Sequence, residues 1–125
     1  MGRDHRKLRV FAIADALAFA IYHATRSFPN EERYGLQSQL RRAAVSTVCN
    51  IVEGSARRSE AEYVHFLNVA NGSTQEVWYL LDLTHRLGYL SEHDFGEMDR
   101  QARCLAEGLG ALLNSLVPVL RGGKR

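Results

Sequence analysis

With 125 residues, 46% of them hydrophobic and 24% charged, and a net charge of +2, the chain has the make-up of one soluble globular domain spanning 1–125. No apolar run approaches the ~20 residues that cross a bilayer, and Asp15 interrupts the apolar stretch where a secretory signal would lie, so a cytoplasmic, non-membrane protein is expected. Cys49 and Cys104 stand at no metal-like spacing and are expected to be buried, reduced thiols.

Four helical segments separated by short breakers account for nearly the whole chain, and no β-type alternation competes with them. Val10, Ala14, Leu17, Ile21 and Ala24 recur at steps of four and three and predict a helix over 8–27, ended by Pro29. A polar linker, Pro29–Gly35, leads to a second helix over 36–57. Ser59, with Glu62 three residues on, is an S-x-x-E capping box that starts a third helix over 60–87, and Gly88 is a natural C′ residue. Ser91 caps a fourth helix over 92–117, in which Phe95, Met98, Ala102, Leu105 and Leu109 repeat at 3-4 steps. Pro118 is expected to stop it and to leave a mobile basic tail over 119–125. Helices of this length with short connections predict an all-α fold, an antiparallel up-down-up-down four-helix bundle. Gly54, Gly72, Gly108 and Gly110 each cost about 1 kcal/mol of helix propensity, which predicts close backbone approach at these positions.

The second helix has more apolar surface than one core can cover. Leu36, Leu40, Ala43, Ala44, Thr47, Val48 and Ile51 form one face, and Val45, Val52 and Ala56 form another. A surface helix of a monomer needs a stripe of only roughly 100°, so the surplus predicts contact with other copies of the chain. The polar remainder, Gln39, Arg42, Ser46, Asn50, Glu53 and Arg57, is narrow. Polar networks of this kind set register between helices or subunits, and Arg42, Val45, Ser46, Asn50, Val52 and Glu53 are the expected oligomer or helix–helix network. A solvated face and a ligand site are the competing readings of the same stripe.

Catalytic chemistry finds little to use. Glu62 and His65 form a Glu-x-x-His on a bundle helix, but the nearest analogue, Asp82 to His85, lies on the same helix about 30 Å away, and Glu62 is already engaged in capping. Neither cysteine has a neighbouring histidine or basic cluster, and no G-x-S-x-G or phosphate-cradling glycine loop occurs. Neither an enzyme nor a metal or other cofactor is expected. Nucleic-acid binding has better material: residues 1–58 contain ten Lys/Arg against five Asp/Glu, and fourteen of the chain's sixteen cations are arginine. Arg3, Arg6, Lys7 and Arg9 open the chain, Arg33, Arg41 and Arg42 surround the head of the second helix, and Arg57 and Arg58 stand at its foot. Phosphate neutralisation asks for clustering rather than spacing, and a ring of copies multiplies any patch. The alternative is a solvated face on which Arg42 or Arg57 pairs with Glu53.

The order Phe28-Pro29, Glu32-Arg33-Tyr34-Gly35-Leu36, Gln39 to Ala44, Ser46, Asn50 to Gly54, Arg58-Ser59, Ala70, Gly72-Ser73 and Glu76 resembles the bacterial four-helix-bundle family encoded in intervening sequences of 23S ribosomal RNA genes. The chain departs from it at Val48, where members often carry proline, and at Phe11, often tryptophan. The resemblance implies a homopentameric barrel. It also implies kinship with the accessory variability protein of diversity-generating retroelements, a binder of nucleic acid through a basic surface that partners a reverse transcriptase. Carried over, RNA or DNA binding falls on Arg41, Arg42, Arg57 and Arg58, without strong sequence preference. An assembly or adaptor protein with a protein partner and no nucleic-acid affinity is the second expectation.

Overall fold

Helix α1 runs Arg9–Ala24 and tightens into a 3-10 turn at Thr25–Ser27; α2 runs Leu36–Ser55, α3 Glu60–Arg86 and α4 Glu92–Gly122. The structure is a computed structural model that describes residues 2–122, with side-chain surroundings for 2–116. Among the described residues there is no strand.

Local chemistry sets most of the boundaries. Ser59 Oγ accepts the Glu62 N–H at 3.0 Å, and Ser91 Oγ accepts the Asp94 N–H at 3.0 Å, so both predicted N-caps are in place. Gly88 takes φ 84°, and the N–H groups of Gly88 and Tyr89 donate to the carbonyls of His85 and Thr84, each at 2.9 Å. That is a Schellman closure, which glycine makes without a Cβ penalty. The start of α2 had no such signal. Its linker holds a 3-10 turn at Asn30–Glu32, and Glu32 Oε1 accepts the Leu36 N–H at 3.0 Å in place of an N-cap side chain.

Two boundaries differ from the sequence expectation by more than one residue. Helix α2 ends at Ser55, with Ala56 as its C-cap. Helix α4 does not stop at Pro118 but continues to Gly122. Proline's fixed φ is itself helical, so what it removes is one N–H bond and some clearance from the preceding turn, a kinking cost of about 3 kcal/mol. Of the expected tail, 119–122 are therefore helical, and 123–125 lie outside the described residues.

Helix α1 packs against α2 and α4, and α3 packs against the same two. Ile21, Leu40, Ile51, Leu67, Leu81 and Leu109 are fully buried at the centre, with Tyr63 and Met98 beside them. Thr25, Thr47, Ser55, Thr74 and Thr84 are also buried, and each donates its hydroxyl to the carbonyl four residues back, at 2.7 to 3.1 Å. That bond removes the cost of burying an unpaired hydroxyl. The glycines divide. A Cβ on Gly54 would sit 2.9 Å from Phe66 Cβ, and one on Gly108 would sit 3.0 Å from Val10 Cγ1, as expected of close approach. Gly72 and Gly110 meet nothing within 4 Å, because they face outward rather than into a helix seam.

Candidate nucleic-acid interface

The end of α1, the turn at Asn30–Glu32 and the first turns of α2 enclose a groove of about 580 Å³. Arg26, Arg33, Arg41 and Arg42 line it with Tyr22 and Tyr34, and no Asp or Glu is among its lining residues. Arg41 is the fixed member. Its Nε donates to Thr25 Oγ1 at 2.8 Å, its Nη2 donates to the Tyr22 carbonyl at 3.1 Å, and the guanidinium lies 4.6 Å from the Tyr22 ring centroid. Both acceptors are neutral, so Arg41 is oriented without losing its charge. The carbonyl belongs to the last turn of α1, where the helix dipole favours a cation. Arg33 stands over the Tyr34 ring at 5.6 Å. Glu32, beside Arg33 in sequence, is engaged elsewhere: besides holding Leu36, its Oε2 accepts the Tyr89 hydroxyl at 3.0 Å. That bond, with partial burial behind it, holds the Tyr89 phenol above its ordinary titration range.

Most other arginines have carboxylate partners. Arg3 pairs with Glu60 and covers the Tyr63 ring at 3.9 Å, and Arg6 pairs with Asp4 at 3.0 Å. Arg57 pairs with Glu53 and lies over Phe66 at 5.0 Å. Arg86, Arg100 and Arg103 pair with Asp82, Glu97 and Asp99. Among residues 2–116, this leaves Arg9, Arg26, Arg33, Arg41, Arg42 and Arg58 without a carboxylate partner, and four of these line the groove.

The residues singled out from sequence thus separate. Arg41 and Arg42 meet at the head of α2, whereas Arg57 and exposed Arg58 lie just past its other end, about 20 Å away. The opening cluster is partly cancelled by Asp4 and Glu60. Arg26 escaped the sequence reading because only the turn after α1 brings it beside the head of α2; its one sequence signal is Tyr22 four residues earlier.

A second cleft of about 580 Å³ opens between α2 and α3, sharing Tyr34 and Arg42 with the groove. It contains part of the predicted polar stripe. The hydroxyls of Ser46 and Ser73 share a hydrogen bond at 2.9 Å, and Asn50 Nδ2 donates to the Ser46 carbonyl at 2.8 Å. Gln39 Nε2 donates to Glu76 Oε2 at 3.4 Å. Ser46 and Asn50 are therefore joined in an inter-helix network; Glu53 is drawn away to Arg57, and Arg42 projects into the cleft. Val45 is 39% exposed, Val52 is half-buried and Ala56 is exposed. Cys49 lies on the same strip and is exposed rather than buried, since two positions beyond buried Thr47 is about 200° round the helix.

Glu62 and His65 are both exposed, and His65 packs edge-on against Phe66 with centroids 5.1 Å apart. Among the described residues no group of three or more His, Cys, Asp or Glu is placed to hold a metal, and no helix is long and apolar enough to cross a membrane.

The pattern described as 23S rRNA-intervening sequence protein matches residues 6–111, most of the chain. The chain belongs to this family. Several residues that carry the resemblance, Gln39, Arg42, Ser46, Ser73 and Glu76, gather in the polar cleft between α2 and α3. The fold is shared with a protein of unknown function from the S23 ribosomal protein family of Bacteroides thetaiotaomicron VPI-5482. That likeness has a TM-score of 0.76 and 20% identity, and covers 84% of this chain and 95% of the other. At such identity it speaks for the fold alone. No curated protein matches the chain.

Proposed function

We propose that this member of the 23S rRNA-intervening sequence protein family is a cytoplasmic, non-enzymatic, homo-oligomeric protein that binds nucleic acid through the head groove, without strong sequence preference. One observation carries the reading: Arg26, Arg33, Arg41 and Arg42 surround a single groove that no carboxylate lines. Uncompensated, clustered cations are what phosphate neutralisation requires, and the planar guanidinium suits phosphate better than a point charge does.

Each subunit is read as an antiparallel up-down-up-down bundle. In support, Gln39 bonds Glu76, Ser46 bonds Ser73, and Gly54 lies against Phe66, so residue numbers rise along α2 as they fall along α3. Assembly into the pentameric barrel that the family resemblance implies would use the strip of Val45, Cys49, Val52 and Ala56. A ring presents one groove per subunit, and simultaneous contacts raise the affinity above that of one copy.

Titration of a labelled oligonucleotide at several salt concentrations tests the binding. Log affinity is expected to fall linearly with log salt concentration as counterions are released. Salt-independent binding, or none, overturns the reading and favours the adaptor. Assembly is tested separately by Val45→Glu, which places a charge on the exposed strip and is expected to reduce the particle to one subunit in light scattering. A variant of unchanged size removes that strip from the interface.

A further inference from the structure

We infer that the head groove takes a single strand of nucleic acid, its bases stacked on Tyr34 and Tyr22 while Arg26, Arg33 and Arg42 hold phosphates; this rests on the nucleic-acid reading above. The groove combines two kinds of group that a duplex cannot use together. Tyr34 is 88% exposed and Tyr22 is 42% exposed, and each ring has an arginine over it, Arg33 and Arg41 respectively. A base on an open face of either ring would complete a guanidinium–tyrosine–base stack, and base–aromatic stacking is tolerant of sequence because every base offers a π-face. In a duplex the base faces are already stacked on one another, leaving only phosphates for the arginines. Unpaired bases alone can use the tyrosines.

The surface beside the groove points the same way. Along the outer side of α1 lies a more apolar groove of about 760 Å³ that shares Tyr22 and Arg26 with the first and adds Phe19, which is 73% exposed. Cations with tyrosines thus lead into an aromatic strip, the alternation that tracks a single strand. Asp15 lies in that second groove and marks the end of the track, since a carboxylate there repels the next phosphate.

The test compares oligo(U), oligo(dU) and a duplex of equal length on the intact protein, with Tyr34→Ala, Tyr34→Phe and Phe19→Ala. Single strands are expected to bind more tightly than the duplex. Tyr34→Ala is expected to weaken single-strand binding about tenfold, leaving duplex binding and the salt slope unchanged, and Tyr34→Phe to keep the affinity. The two single-stranded arms show which sugar the groove takes, and binding of either supports the inference. Equal affinity for duplex and single strands, with Tyr34→Ala without effect, overturns the single-strand inference and leaves the function proposed above intact; absence of binding to all three forms overturns both. Tyr34 is too exposed for its removal to unfold the subunit, and unchanged particle size in light scattering verifies this. A change in particle size with Phe19→Ala instead assigns the α1 strip to subunit contact and overturns its place in the track.

Discussion

Helix α2 has one arginine pair near its head and another just past its foot, and the two ends are built differently. At the head, Arg41 is held by the Thr25 hydroxyl and the Tyr22 carbonyl, and Arg42 lines two clefts without an ion-pair partner, Glu76 of the second being bonded by Gln39. At the foot, Glu53 pairs with Arg57, whose side chain lies on Phe66, and Gly54 lets α3 approach so closely that a Cβ would stand 2.9 Å from Phe66 Cβ. The amino-terminal arm closes the same end, with the Arg3 N–H donating to the Ser55 carbonyl at 2.6 Å. Neutral acceptors orient a guanidinium and leave its field intact, whereas a carboxylate a few ångströms away cancels it beyond short range. Equal arginine counts therefore give unequal surfaces.

The sharpest way to break this comparison is to remove two arginines from each end in turn. Arg33→Ala with Arg42→Ala is expected to weaken nucleic-acid binding about a hundredfold and to lower the salt slope by about two, because two phosphate contacts are lost. Arg57→Ala with Arg58→Ala is expected to change affinity less than about threefold, because Arg57 is already paired with Glu53 and the exposed Arg58 stands outside any cluster of cations. Anisotropy titrations over a salt series measure both, and equal losses at the two ends would discard the distinction.

Closure of the foot is a separate matter of packing. Gly54→Ala is expected to destabilise the fold by about 1–3 kcal/mol, since Phe66 must shift to admit a methyl group. Gly72→Ala, which meets open space, is expected instead to stabilise it by up to about 1 kcal/mol through helix propensity. Urea denaturation of both variants gives the signs. A neutral Gly54→Ala would mean that the seam is looser than its geometry.

What could be read from sequence was what local chemistry decides. Ser59, Gly88 and Ser91 act within four residues of themselves, so their caps and the Schellman turn were legible, as were the core positions along α1 and α4. Even the Arg57–Glu53 pair was visible as an i, i+4 alternative. Contacts that depend on tertiary placement were not. Arg3 meets Glu60, and Tyr89 meets Glu32, each across 57 positions, and no local pattern announces either. The groove itself depends on the turn that sets Arg26 beside the head of α2. Gly72, Gly110 and Cys49 misled for a related reason: residue type suggests burial, but the angle round the helix decides it.

A finer test of the head concerns how Arg41 is held. Arg41→Lys keeps the charge but loses the planar fork, which bonds Thr25 and Tyr22 at once while lying on the Tyr22 ring. The expected cost is about 1 kcal/mol of stability, with a salt slope unchanged because the cation remains. A fall in slope would show that Arg41 itself contacts phosphate, rather than anchoring the groove wall.

The smallest effect, and the one closest to the cause of the asymmetry, is that of Glu53→Gln. If the foot is silent because Glu53 cancels Arg57, the neutral amide releases one cation without altering shape. The salt slope is then expected to steepen by about one, with affinity rising a few-fold. The gain stays modest because both side chains are well exposed, 39% for Arg57 and 49% for Glu53, where solvent already screens the pair. An unchanged slope would locate the silence of the foot elsewhere, in the packing of Arg57 over Phe66, which keeps the guanidinium from reaching a phosphate even when its partner is gone.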